Sequence, residues 1–243
     1  MLRALVVVPL AFLWTALTCS LGALLALVTF RKLNERLIEW VAWAWGAGLL
    51  AILGIRLRIV GREHLRERHS RVVVMNHTSA LDMMAMGAIA PPGMMALGKR
   101  EFLYFPFLGL AWWALGQAFV DRSNKKRARR SIDALTDRMR SESRSAVIFP
   151  EGTRSRGGEL QPFKMGAFHL VVNTHAPLVP MVIYNAWERV RPDSLIVNPG
   201  EITVVIHPER DTSDWTSDNL RDKAQALHAE YEQWVAQGPP PPP

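Results

Sequence analysis

Residues 72–82 read Val72-Val73-Val74-Met75-Asn76-His77-Thr78-Ser79-Ala80-Leu81-Asp82. Four apolar residues, three of them β-branched, predict a short strand buried on both faces. The polar turn after it falls at the strand's carboxyl edge, where ligands bind in open α/β sheets. Thr78 or Ser79 is placed to cap the apolar helix that follows, with Asp82 in its first turn. His77 and Asp82 then face each other across a helix start. In such a pair the carboxylate fixes the imidazole tautomer and stabilises the imidazolium, so the imidazole can act as a base. A solvated histidine in a turn is the plainer reading of the same spacing.

A second strand opens onto a similar turn. Ala146–Phe149 runs into Pro150-Glu151-Gly152-Thr153-Arg154-Ser155-Arg156, a glycine-containing loop with two guanidinium forks suited to a phosphate or phosphomonoester. Further strands are expected at Leu57–Val60, Gln117–Val120, Leu178–Tyr184 and Ile202–Ile206. Amphipathic helices are expected at Lys125–Met139, where Ala128, Ile132, Leu135 and Met139 share a face, and at Asp218–Trp234. Strands alternating with helices predict an α/β layered domain with a largely parallel central sheet flanked by helices.

The composition agrees with a globular protein. The chain has 243 residues, 49 % apolar and 21 % charged, and 29 Lys+Arg against 22 Asp+Glu give a net charge of +7. These values exclude a disordered chain, a collagen-like fibre and a coiled coil. One cysteine, Cys19, excludes an intrachain disulfide framework and argues against a zinc module. The basic excess favours phosphate-bearing partners.

The N-terminus is different. Ala4 to Phe30 is uncharged and flanked by Arg3 and Arg31-Lys32; as a helix it would reach about 40 Å, enough for a ~30 Å hydrocarbon core. A second uncharged run, Trp40 to Ile55, would reach about 24 Å. Its Trp40, Trp43 and Trp45 suit a lipid–water interface. The short polar stretch between them predicts a helical hairpin, so residues 1–55 read as a membrane anchor, 56–237 as the catalytic domain and 238–243 as a disordered proline-rich tail. Arginines lie both in the hairpin turn and at Arg56–Arg71, and positive charge favours the cytoplasm. A cytoplasm-facing domain at the cell membrane follows, with the depth of the first helix left open.

Four blocks carry a resemblance. Asn76–Asp82 is similar to the His-x4-Asp motif of glycerolipid acyltransferases, Gly116–Arg122 to their second block, Phe149–Ser155 to their third and Val179–Ile183 to their fourth. The order is the family's, and within the family the chain most resembles the lysophosphatidate acyltransferases, in which Lys99-Arg100-Glu101 followed by Pro106-Phe107 is also typical. The resemblance implies transfer of a fatty acyl group from acyl-CoA or acyl-carrier protein to the sn-2 hydroxyl of 1-acyl-sn-glycerol 3-phosphate, forming phosphatidate, with neither metal nor cofactor. It implies His77 as general base and Asp82 as its orienter. Arg122, Arg154 and Lys99 would hold the acceptor phosphate, while Glu151, Gly152 and Thr153 would shape the acceptor site, Glu151 by accepting from a hydroxyl or orienting an arginine.

The chemistry is consistent. A thiol leaving group with pKa near ~8.5 needs little acid assistance, whereas an alcohol needs a base, and an ordinary imidazole near ~6.5 can serve. No acyl-enzyme is required, so Ser79 reads as a cap, and the amides near it are candidate oxyanion donors. Membrane lipids are expected partners and nucleic acid is not. Another acceptor, such as glycerol 3-phosphate or a lyso-aminolipid, and a non-enzymatic role in binding anionic lipid remain alternatives. Lys125–Arg130 fits anionic headgroups, the donor's phosphates or simply a wet helix face. Phe102–Trp113 fits an acyl-chain channel, a lipid-facing surface or core.

Overall fold

A computed structural model describes residues 2–32, 34–121, 124–192, 194 and 196–241. It opens with two helices, α1 (Leu2–Val28) and α2 (Glu35–Leu53). Asn34 starts α2 by accepting the Arg36 amide at 2.9 Å, and Gly54 ends it in the left-handed region at φ 68°, a conformation that costs glycine nothing sterically. At 19 residues α2 is longer than its uncharged run, because Glu35, Arg36 and Glu39 belong to its first turns.

The remaining elements are β1 (Ile55–Val60), β2 (Val72–Met75), α3 (Leu81–Ile89), β3 (Met94–Lys99), α4 (Leu108–Ala114), β4 (Ala118–Val120), α5 (Lys125–Glu142), β5 (Ser145–Ile148), α6 (Gly166–Thr174), β6 (Leu178–Tyr184), α7 (Ala186–Arg189), β7 (Gly200–Ile206) and α8 (Leu220–Gln237). The seven strands form one sheet in the order β1-β7-β6-β2-β5-β3-β4. From β6 to β4 all neighbours are parallel; β7 runs antiparallel to β6, and β1 pairs parallel with β7. The sheet is thus largely parallel, with a reversed pair at one side. Strand β3 has no counterpart among the strands expected from sequence. Its Met, Ala and Leu are helix formers, and Gly98 interrupts the run.

Alternation along the buried strands separates two cores. Val73 and Met75 of β2, with Val179, Met181 and Ile183 of β6, pack on α3 and on Val7, Leu50 and Leu53 of the hairpin. Val72, Val74, Ala146 and Ile148 point the other way, against Ile132, Leu135 and Met139 of α5, Phe168 and Leu170 of α6, and Tyr231 of α8. The hairpin and α3 therefore cover one face, and α5, α6 and α8 the other.

The hairpin also packs on α4 through Cys19, Ala23 and Ala26 of α1, Val41 of α2, and Ala111 and Ala114 of α4. Both ends of α1 are tied down. Arg3 Nη2 donates to Leu53 O at 2.8 Å, and Arg31 Nη2 donates to Trp113 O at 3.2 Å with its guanidinium over the Trp113 ring. The outward side of α1 is a band of exposed apolar residues, among them Leu5, Phe12, Leu13, Leu17 and Leu24. Both helices are long and apolar enough to cross a membrane, and neither is mostly buried as a soluble core helix would be. Together these features mark a membrane-associated segment. Trp40 and Trp43 are exposed as interfacial residues should be, whereas Trp45 turns inward and lines a cavity. At the opposite terminus Pro240 O accepts from Arg58 at 2.7 Å, so the proline tail is held at that point; Pro242 and Pro243 lie outside the described residues.

Candidate active site

The carboxyl ends of β2, β3, β4 and β5 share one sheet edge because these strands are mutually parallel. That edge carries His77 after β2, Lys99 at the end of β3, Asp121 after β4, and Pro150–Arg156 after β5.

His77 Nδ1 lies 2.8 Å from Asp82 Oδ2. The same carboxylate oxygen accepts the amides of Thr78 at 2.7 Å and Ser79 at 2.8 Å. Asp82, fully buried in the first turn of α3, thus braces the turn that leads into the helix, while Ser79 Oγ meets the first helical amide as the capping expectation had it; a carboxylate at a helix N-terminus gains both from these amides and from the helix dipole. Ser79 Oγ is buried, donates to Val190 O at 2.7 Å and accepts from the Leu81 amide. Because Asp82 occupies the Thr78 and Ser79 amides, they do not point at a reacting carbonyl. With Nδ1 committed to Asp82, the Nε2 edge is the one His77 presents to the cavity it lines. The ring stacks on Phe149 with centroids 4.2 Å apart.

The backbone of His77 is clasped by the loop after β5. Its amide donates to Glu151 Oε1 at 2.6 Å, and its carbonyl accepts from Ser155 N at 2.9 Å. Glu151, expected in the acceptor site, is instead 1 % exposed, and its second oxygen takes the Gln161 amide at 2.9 Å. It acts as a strut between the two loops. Burial pushes its carboxyl up to about 7, against the two amides that favour the ionised form.

Asn76 directly follows β2 at the head of the first block. Its side chain spans to β6, donating to Ile183 O at 3.1 Å and accepting Ile183 N at 2.8 Å. Two residues earlier, Val74 pairs with Pro180, which has no N–H to give the sheet. Tyr231 of α8 fills the gap: its hydroxyl donates to Val74 O at 2.7 Å and accepts Met181 N at 3.0 Å. The first and fourth blocks are thereby locked side by side. No local pattern in the sequence signals Tyr231, which lies 157 residues from its acceptor.

Beside His77 opens a cavity of about 460 Å³. Its apolar wall comes from Cys19 of α1, Val41 and Trp45 of α2, Met83 and Met86 of α3, and Phe102 and Trp112 around α4. Lys99, Gly152, Thr153 and Arg154 also line it, and Lys99, Thr153 and Arg154 are exposed. Gly152 takes φ 73°, a left-handed conformation that strains any residue with a Cβ, so the turn calls for glycine. Five expected site residues, His77, Lys99, Gly152, Thr153 and Arg154, thus meet at one cavity, with Asp82 and Glu151 behind His77. Arg122 lies outside the described residues.

The raised carboxyl of Glu151 makes stability depend on pH. An acid whose folded pKa exceeds its unfolded value binds extra protons when folded, so its contribution is complete below about 4.5 and is lost as pH rises through about 7. The loss is on the order of 3 kcal/mol. In detergent micelles, the melting temperature of the wild type relative to Glu151→Gln should therefore fall between these pH values; a constant difference would contradict it.

A family model described as Acyltransferase matches residues 56–184. The chain is 34 % identical over 186 residues to the 1-acyl-sn-glycerol-3-phosphate acyltransferase of Limnanthes douglasii, covering 76 % of this chain and 66 % of that protein. It is 28 % identical to the enzyme of that name from Haemophilus influenzae, over 91 % of this chain and 90 % of the relative. The crystal structure of the 1-acyl-sn-glycerophosphate (LPA) acyltransferase, PlsC, from Thermotoga maritima has the same fold, with a TM-score of 0.77 at 19 % identity, covering 96 % of this chain and 94 % of that one. Since the matched region exceeds half the sequence and contains the cavity's histidine, the chain belongs to the acyltransferase family.

Proposed function

We propose that the protein transfers a fatty acyl group from a thioester donor to the sn-2 hydroxyl of lysophosphatidate, forming phosphatidate. The observation that carries this reading is the position of His77, held by Asp82 at 2.8 Å, where an apolar cavity meets the exposed cations Lys99 and Arg154. An amphiphile with an acyl chain and a phosphate has both ends provided for. The relatives named above add support for this acceptor.

His77 Nε2 takes the proton of the acceptor hydroxyl as that oxygen attacks the thioester carbonyl. Asp82 stabilises the imidazolium so formed. The C–S bond then breaks, the new ester forms, and the thiolate leaves and recovers the proton. Ser79 takes no part, its hydroxyl being committed to Val190 O. The apolar wall receives the acyl chain, and Lys99 and Arg154 pair with the phosphate.

One end of α1 meets the domain through Arg31 and Trp113, and Val7 near the other packs in the core beneath the sheet, so the hairpin lies along one face of the domain. We read α1 as immersing its exposed apolar side in one leaflet, with the turn and the domain together on the cytoplasmic side, as their arginines favour. The test is turnover by purified protein across a panel of acceptors with acyl-CoA. Phosphatidate formation from lysophosphatidate is expected at rates at least about ten-fold above glycerol 3-phosphate or lyso-aminolipids, a ratio that phosphate pairing plus chain burial readily supply. Preference for another acceptor overturns the assignment.

A further inference from the structure

Helix α5 begins with five cations in six residues: Lys125, Lys126, Arg127, Arg129 and Arg130. Its first turn holds no acidic residue. Like charges at i,i+4 (Lys125 with Arg129, Lys126 with Arg130) repel, and cations at a helix N-terminus oppose its dipole. Arg127 pairs with Asp121 at 3.6 Å. Lys125, Lys126, Arg129 and Arg130 are exposed, and none forms an ion pair among the described residues. The chain keeps a locally unfavourable charge cluster, and folding does not explain it.

Its location does. Asp121 follows β4 at the sheet edge that carries His77, and it also holds Arg100, just after Lys99, at 3.1 Å. From β2 to β4 is three strand steps, a lateral distance of about 14 Å. The arm of a phosphopantetheine thioester has roughly twelve bonds from sulfur to phosphate oxygen and extends about 14 Å. A thioester carbonyl at His77 therefore brings the first phosphate of its carrier to the start of α5.

We infer that the exposed cations of α5 (Lys125, Lys126, Arg129 and Arg130) bind the pyrophosphate and 3′-phosphate of coenzyme A, making coenzyme A the donor's carrier. This rests on the acyltransferase reading and names its second substrate. The patch is compact, spanning about 8 Å of helix. Asp133 and Asp137 are exposed and continue the same outward face with opposite sign, which suits a small polyanion and repels the longer acidic surface of a carrier protein. A bilayer is a poorer match, because α5 covers the sheet face opposite the hairpin.

The test uses the full chain in micelles and a triple variant, Lys126→Ala, Arg129→Ala, Arg130→Ala. Desulfo-coenzyme A binding, read by calorimetry, should weaken about ten-fold or more, and the KM for acyl-CoA should rise by a similar factor, as expected for lost charge-assisted phosphate contacts. The salt dependence of both should flatten. The KM for lysophosphatidate should stay within about two-fold, since that phosphate is assigned to Lys99 and Arg154. Unchanged desulfo-coenzyme A affinity overturns the inference. So does a rise confined to the KM for acyl-carrier protein or for lysophosphatidate, or loss of binding to phosphatidylglycerol vesicles with coenzyme A binding intact. If the wild type fails to acylate lysophosphatidate, the functional reading falls, while calorimetry still decides the coenzyme site.

Discussion

His77→Ala should lower kcat for acyl transfer by about 10³-fold, the middle of the range for removing a positioned base. The expectation rests on the proposed role of His77 as the group that takes the hydroxyl proton; Ser79 is turned away to Val190 O. The change should leave the fold intact, because the backbone amide and carbonyl of His77 stay held by Glu151 and Ser155. Lost with the side chain are the bond to Asp82 and the stack on Phe149. Release of free thiol from acyl-CoA in the presence of lysophosphatidate provides the measurement. If the variant keeps more than about a tenth of wild-type kcat, a role as base worth two or more orders of magnitude is untenable.

Asp82→Asn is the second large effect, and it acts through two routes. One oxygen of Asp82 receives three donors: the imidazole Nδ1 and two backbone amides. An asparagine offering its carbonyl keeps the acceptor but loses the charge, and with it the support for an imidazolium; the alternative orientation sets an NH₂ against three N–H groups. We expect kcat to fall by about 10²–10⁴-fold, as when a triad carboxylate is neutralised. Stability should fall by about 2–4 kcal/mol, for the weakened charge-assisted bonds at a fully buried site. Thermal unfolding beside steady-state kinetics separates the two: the rate loss must persist at temperatures where the variant is folded. A folded variant with kcat within five-fold of wild type would show that Asp82 only braces the turn before α3.

What the sequence revealed and what it hid divide along physical lines. The β2, β5, β6 and β7 runs are apolar and β-branched because both sheet faces are covered, so their patterns announce them. The His77–Asp82 pairing is legible because it is made within a single turn. No strand pattern marks the position of Lys99, because β3 carries helix-forming residues whose strand state is imposed by β5 on one side and β4 on the other. Helix α6, with Phe168 and Leu170 fully buried, has only nine residues and a narrow polar stripe at His169 and Asn173, too little for a periodicity reading. The role of Glu151 was hidden for another reason. A carboxylate beside a loop arginine looks like a partner for it, and only the approach of residues 77 and 161 shows the amides it serves. Tyr231 and Asn76 bridge elements more than a hundred residues apart, beyond any local pattern.

The residue boundary at 55/56 is not a boundary of the cavity beside His77. Trimming the greasy N-terminus to obtain a water-soluble catalyst would delete the wall built by Cys19, Val41 and Trp45 and strip Val7, Leu50 and Leu53 from the core beneath the sheet. The anchor is also part of the mould. Swapping side chains on the inner side of α2 should therefore retune which fatty acids fit, with the distant catalytic loops untouched.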